Sequence, residues 1–194
     1  MKKMFMLLAA TALFAIACNN NSQGDSVKAA EKENDKRDSG VTLLGSNTDS
    51  LDFDKDFMVQ AASGGLLEVQ LGQIAQQNAS AAAVKQFGKM MVSDHTKANN
   101  ELTALAKQKN IVVPSAPGED AQEHINKLQQ SKGKDFDRDY VSLMVDDHKE
   151  DIEQFEKAAE NAKDPDIKAL AVKTLPVLKH HLQMIQSIQN GMKP

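Results

Sequence analysis

Three histidines carry the chemistry that this sequence offers. His95 closes the segment Phe87 to His95, FGKMMVSDH, and His148 closes a near copy of it, YVSLMVDDH, at Tyr140 to His148. Each begins with an aromatic residue and ends Met-Val-x-Asp-His. His181 follows in LPVLKHHL, Leu175 to Leu182, and Glu68 interrupts an otherwise apolar and small-residue stretch. Imidazole nitrogen suits zinc, copper, iron and nickel, and thioether sulfur selects Cu(I). Met91, Met144 and Met184 stand one turn from the three histidines, so the set fits copper or zinc before iron. Asp94 and Asp147 precede two of the histidines and sit about 100° further round the helix, placed to touch a neighbouring helix or to orient a ligand from behind. The same residues admit a second reading. Buried histidines can hydrogen-bond to Asp or Glu and fix helix register with no ion, and Met is an ordinary core filler.

The elements that must position these residues follow from apolar spacing. A first helix over about Asp52 to Asn78 carries Phe57, Ala61, Gly64, Glu68, Leu71 and Ala75 on one stripe. A second runs from an N-cap at Ser80 to about Lys109, its stripe passing through Val84, Phe87, Met91, His95, Leu102 and Leu105. Pro114, Pro117 and Gly118 stop it, a short helix spans Glu119 to Gln130, and Gly133 ends that. The third, about Asp135 to Ala162, presents Val141, Met144, His148, Ile152 and Phe155. Asp164-Pro165 is an N-cap with Pro at the first helical position, and the fourth helix continues to about Asn190, displaying Ile167, Leu170, Thr174, Val177, His181, Met184 and Ile188. Four such amphipathic helices predict an all-α four-helix bundle over 51–194. The connection of about 24 residues between helices 2 and 3 is far longer than the other two, as in ferritin-like bundles with one crossover. Counted from the short turns, His95, His148 and His181 fall 16, 16 and 17 residues in. They are expected at one level, with Gly64 facing them and Glu68 one turn higher. Pro176 is expected to disturb the backbone of helix 4, and the charged run Lys149-Glu150-Asp151 to face solvent.

The N-terminal segment concerns location. Lys2 and Lys3 precede a 14-residue apolar run ending Ala15-Ile16-Ala17-Cys18. Residues 1–17 read as a secretory signal, too short to span a bilayer. The one cysteine, Cys18, stands immediately after the cut, which resembles a bacterial lipoprotein signal whose cysteine is acylated; Ala15-x-Ala17 also suits ordinary signal peptidase. Residues 18–50, rich in Asn, Ser, Asp, Lys and Glu, read as the lipidated cysteine and a flexible tether reaching on the order of 30 Å. The expected membrane contact is therefore this anchor, in the periplasm or at the outer membrane. The net charge of −4 becomes two units more negative without Lys2 and Lys3. With no basic stripe, nucleic acid is excluded as a partner. One cysteine excludes an intrachain disulfide framework.

The segments FMVQAASGGLLEVQLGQIA (Phe57 to Ala75), MVSDHTKANNEL (Met91 to Leu102), DFDRDYVSLMVDDH (Asp135 to His148) and LPVLKHHL resemble a family of bacterial extracytoplasmic proteins, the predicted outer-membrane proteins catalogued as a domain of unknown function in the ferritin-like group. The resemblance implies a ferritin-like bundle outside the cytoplasm and brings no established activity. It places Glu68, Asp94, His95, His148 and His181 on the family's recurrent polar positions. No histidine has Glu three residues before it; Val92, Ala121, Val145, Val177 and Leu178 stand there. The Glu-x-x-His pairs of carboxylate-bridged di-iron centres are absent, and no nucleophile motif or phosphate loop occurs. The expectation is a binding protein and not an enzyme, or an interaction module of the envelope with a polar core layer.

Overall fold

The computed structural model describes residues 25–39 and 48–192, and the regular elements among them are all helices. The helices are α1 (Ser26–Ser39), α2 (Thr48–Asn78), α3 (Ala82–Gln108), α4 (Glu119–Gln130), α5 (Gly133–Asn161) and α6 (Pro165–Gly191). The signal segment 1–17 and Cys18 lie outside the described residues. Among the described residues no helix is long and apolar enough to cross a membrane.

The four long helices are α2, α3, α5 and α6. Packing is heaviest between α2 and α3 and between α5 and α6, while α2 also meets α5 and α3 meets α6. The hairpin α2–α3 closes at a glycine contact. A Cβ on Gly72 would stand 2.6 Å from the Gly88 carbonyl oxygen, and one on Gly88 would stand 2.7 Å from the Ala75 Cβ. Only hydrogen fits there, so the two helices approach backbone to backbone.

The apolar core is divided. One cluster gathers Leu71, Ala75, Val84, Phe87, Met91, Phe136, Tyr140, Met144 and Ile185. The other gathers Phe57, Met58, Leu102, Ala106, Phe155, Ala158, Ile167, Ala171 and Leu178. Along α3, α5 and α6 the passage from one cluster to the other spans His95, His148 and His181, and on α2 it falls between Ala62 and Leu67, just before Glu68. Those four side chains, each no more than 5 % exposed, form the layer between the clusters.

Three carboxylates tie the ends. Asp137, in the first turns of α5 and buried, accepts from the Ser80 and Ala81 backbone N–H groups at 3.0 and 2.9 Å and from the Ser80 hydroxyl. Ser80, expected to cap α3, is therefore itself a donor to the cap; Ala81 holds the N-cap position without a side-chain bond. At the opposite end Asp54 of α2 accepts from Lys163 N and Asp164 N at 3.0 and 2.7 Å. Asp164 caps α6 as expected, accepting from Asp166 N and Ile167 N.

Several sequence expectations shift. Gly133 does not end the short helix: it opens α5 with φ +66°, a left-handed turn suited to glycine. Helix α6 runs through Pro176, which lies on its exposed face. Its buried line is Ile167, Ala171, Leu178, His181 and Ile185, so Val177 and Met184, both 42 % exposed, fall outside the core. Residues 26–39, read from composition as part of a flexible tether, form α1 against the connection between α3 and α4. The Asn34 side chain donates to Val112 O at 2.9 Å and accepts from Val112 N at 2.7 Å, and Ser26 Oγ donates to Ala116 O at 2.7 Å. This helix is held by polar bonds to loop backbone and, through Glu31 and Asp38, to α2, and Ala30 is its one fully buried apolar residue, which is why apolar periodicity does not reveal it.

Candidate metal centre

At the level where the two apolar clusters part, α3, α5 and α6 each deliver one imidazole. The ring centroids lie 5.9 Å apart for His95 and His148, 5.2 Å for His95 and His181, and 5.5 Å for His148 and His181. One donor nitrogen from each lies within 4.8 Å of the other two. Phe87 borders the site from the apolar side, its ring 6.2 Å from His148 and 6.4 Å from His181.

Each of two histidines is held from behind by a carboxylate. Glu68 Oε2 of α2 stands 2.5 Å from His95 Nδ1, and Asp94 Oδ2 of α3 stands 3.0 Å from His181 Nε2 on α6. Asp94 thus contacts a neighbouring helix, as its offset suggested. Glu68 is level with the histidines and not one turn above them, while Gly64, expected to face them, has Asp151 as its nearest neighbour. With the outer nitrogens so engaged, His95 Nε2 and His181 Nδ1 face each other at 3.3 Å. If both outer nitrogens carry protons, both inner ones present lone pairs, which repel unless a cation lies between them. If the Glu68 carboxyl is protonated, it donates to His95 Nδ1, His95 Nε2–H donates to His181 Nδ1, and His181 Nε2–H donates to Asp94. Burial pushes the Glu68 carboxyl well above the usual carboxylate range, which favours this proton-filled arrangement.

His148 differs. It is fully buried, and its Nε2 makes no hydrogen bond, standing 3.4 Å from Glu68 Oε1, which is also unpartnered. Burial first, then the neighbouring His95 and His181, lowers its pKa to about 3, with a backbone hydrogen bond to Met144 opposing them. Burial likewise lowers His95 to about 4 and His181 to about 4, Asp94 partly opposing it at His181. Three neutral imidazoles therefore converge at neutral pH, the protonation state that binds metal. Two nitrogens on a tetrahedral ion at 2.0–2.1 Å stand roughly 3.3 Å apart, which the His95–His181 edge already matches. A cavity of about 20 Å³, bordered by Glu68, His95, Asn99, Asp151 and Thr174, leaves room for one water-sized group beside the site.

Of the assisting residues named from sequence, Met91 and Met144 are buried in the core cluster, and Met184 is on the surface. Asp147 is half-buried beside His148, with Oδ2 3.9 Å from Nδ1. Asp151 was missed, because it reads as part of a solvated charge run. Lys149 and Glu150 are exposed, but Asp151 turns inward. Burial and then the charge of Glu68 raise its pKa, with His95 opposing. The signal that could have found it is its position three residues after His148 and four before Phe155, on the core stripe.

The chain belongs to the family DUF4142, a domain of unknown function, whose profile matches residues 43–188. No curated protein matches it. Among solved structures it is similar to a DUF305 fragment from Deinococcus radiodurans, with 11% identity over 72% of this chain and 97% of that one and a TM-score of 0.63. It is also similar to CopM in the Cu(I)-bound form (19% identity, 72% of this chain and 98% of that one, TM-score 0.59) and in the Ag-bound form (20%, 72% and 98%, 0.57). At these identities the likeness is one of fold.

Proposed function

We propose that this member of DUF4142 is a lipid-anchored protein of the bacterial cell envelope that binds a transition-metal ion, copper or zinc before iron, through His95, His148 and His181. The observation that carries the reading is the convergence of three buried neutral imidazoles, one donor nitrogen of each within 4.8 Å of the others, with the fully buried His148 leaving Nε2 unpartnered. Buried polar groups in folded proteins are nearly always paired, and an exception asks for an unseen partner. Glu68 and Asp94 then act as the carboxylates that orient ligand histidines and raise their basicity. Met91 and Met144, soft side chains one turn away, favour Cu(I) over zinc within this set. That a protein of similar fold, CopM, was solved with Cu(I) and Ag bound supports the same preference.

The fold assignment within this proposal is a ferritin-like four-helix bundle with a crossover between α3 and α5. The two core clusters occur in the order first-then-second along both α3 and α5 and in reverse along α2 and α6. Phe87 and Tyr140 pair at 6.3 Å as their histidines pair eight residues later. Both patterns are those of parallel α3 and α5. No step of catalysis is assigned.

A second reading, a structural polar layer, has one observation in its favour: protons alone can satisfy the chain Glu68–His95–His181–Asp94. Melting separates the two. A ligand held only by the folded state at a hundred times its dissociation constant stabilises by about 2.7 kcal/mol, so Cu(I) or Zn²⁺ is expected to raise the melting temperature by several degrees. Equal melting with and without metal, in the parent and in His148→Ala, would support the structural layer. The anchor is tested apart from this: Cys18→Ser is expected to move the protein from the membrane fraction to the soluble one, and an unchanged distribution contradicts lipidation.

A further inference from the structure

Every buried side-chain polar atom without a partner among the described residues falls in one patch. These atoms include Glu68 Oε1, Asp147 Oδ2, the Tyr140 hydroxyl and Nε2 of His148. Three histidines explain only part of that list. Two carboxylate oxygens and a phenol remain, carried by α2 and α5.

We infer that Glu68, Asp147 and His148 form a second cation position that takes an oxygen-preferring divalent ion. It goes beyond the trihistidine reading and does not depend on it. One donor atom from each of Glu68, Asp147 and His148 lies within 4.8 Å of the others. Glu68 is 1 % exposed and His148 fully buried, and Glu68 Oε1 has no hydrogen-bond partner among the described residues. Tyr140 is fully buried as well, with its hydroxyl unpartnered. The donor chemistry differs from that of the three imidazoles. Two carboxylates neutralise a divalent ion, and carboxylate oxygen suits Mn²⁺ and its neighbours better than Cu(I).

A route leads to it. A surface pocket of about 390 Å³ between α1, α2, α4 and α5 has Asp147 and Asp151 in its wall, with Glu31, Glu119, Asp120 and Glu150 around them and Lys28 as its basic residue. Such an acid-lined cleft concentrates cations. Asp147 thus reaches solvent on one side and Glu68 and His148 on the other. Helix α1, docked on the crossover, supplies one wall of this pocket.

The two positions share His148. A neutral imidazole has one lone pair, so the ring serves one ion at a time, and occupation alternates: a soft ion among the three histidines, or a hard one between the carboxylates.

The test uses the protein carrying Cys18→Ser, so that the lone thiol cannot contribute, and follows Mn²⁺ by electron paramagnetic resonance. The expected result is one Mn²⁺ per chain, displaced one for one by Ag⁺. Asp147→Asn, checked for unchanged helicity and melting, is expected to weaken Mn²⁺ at least tenfold and to leave Ag⁺ retention as it was. No Mn²⁺ binding, or binding unchanged in this variant, overturns the second position. Mn²⁺ and Ag⁺ held together overturns the shared ligand. Mn²⁺ retained by a protein that does not hold Ag⁺ would sustain this position and remove the trihistidine one, so the two readings fail separately.

Discussion

His148 shows at the scale of one residue what the layer costs and what it is for. Its folded pKa of about 3 lies far below the ordinary 6.5. Between those values the unfolded chain binds a proton at this side chain and the folded chain does not, so the folded state loses stability as pH falls from 6.5 towards 3. One such proton is worth about 1.4 kcal/mol per pH unit. Glu68, whose carboxyl is raised by burial, works in the opposite sense, but it is present in parent and variant alike. His148→Gln in metal-free protein is therefore expected to flatten the acid limb of the stability curve between about pH 3.5 and 6 by up to that slope, read from urea midpoints. Equal slopes would mean that His148 is not held neutral. This residue was legible in the sequence because a repeat and a helical stripe both pointed to it. The precise partners were not: helical spacing set Glu68 a turn too high because a sequence gives angular position well and axial offset between helices poorly. Asp151 escaped because a charged run looks solvated whichever of its members turns inward.

Among elements, long-range carboxylate caps set the axial register that the apolar stripes leave free. Asp137 holds two backbone N–H groups ahead of α3 from α5, and Asp54 holds two ahead of α6 from α2. Each therefore fixes one hairpin against the other at opposite ends of the polar layer. Hydrogen bonds to a charged acceptor are worth about 1.5–3 kcal/mol each when their partners would otherwise be stranded. Asp137→Ala is expected to destabilise the protein by roughly 2–4 kcal/mol in chemical denaturation, several times more than removal of an exposed carboxylate such as Asp146. A loss under about 0.5 kcal/mol would contradict the assigned role. The long helices themselves were legible to within a few residues, because 3.6-residue periodicity is strong over such lengths. Two things were not. A cap that comes from 57 residues away leaves no local mark, and α1 has no apolar stripe for the pattern to report. On α6 the shared positions Ile167, Thr174 and His181 fit two adjacent stripes. The structure buries the one through Leu178 and Ile185 and exposes Val177 and Met184.

For the molecule as a whole, two apolar clusters are separated by a layer that burial would penalise unless something charged or protonic satisfies it. That layer is placed where four helices converge, with an acid-lined pocket beside it and α1 closing one side of that pocket. A bundle built only for stability would continue its apolar core through this level. The account therefore stands on whether the three imidazoles hold an ion. The most direct measurement is metal retention by Cys18→Ser protein, purified without a histidine tag, loaded anaerobically with Cu(I) and with Zn²⁺ in separate runs, desalted and analysed for metal and for nitrogen ligation by X-ray absorption. The account predicts close to one ion per chain with histidine nitrogen among its ligands, abolished by combining His95→Ala, His148→Ala and His181→Ala in a variant that remains helical. Retention unchanged in that variant, or no retention of either ion by the parent, would contradict it.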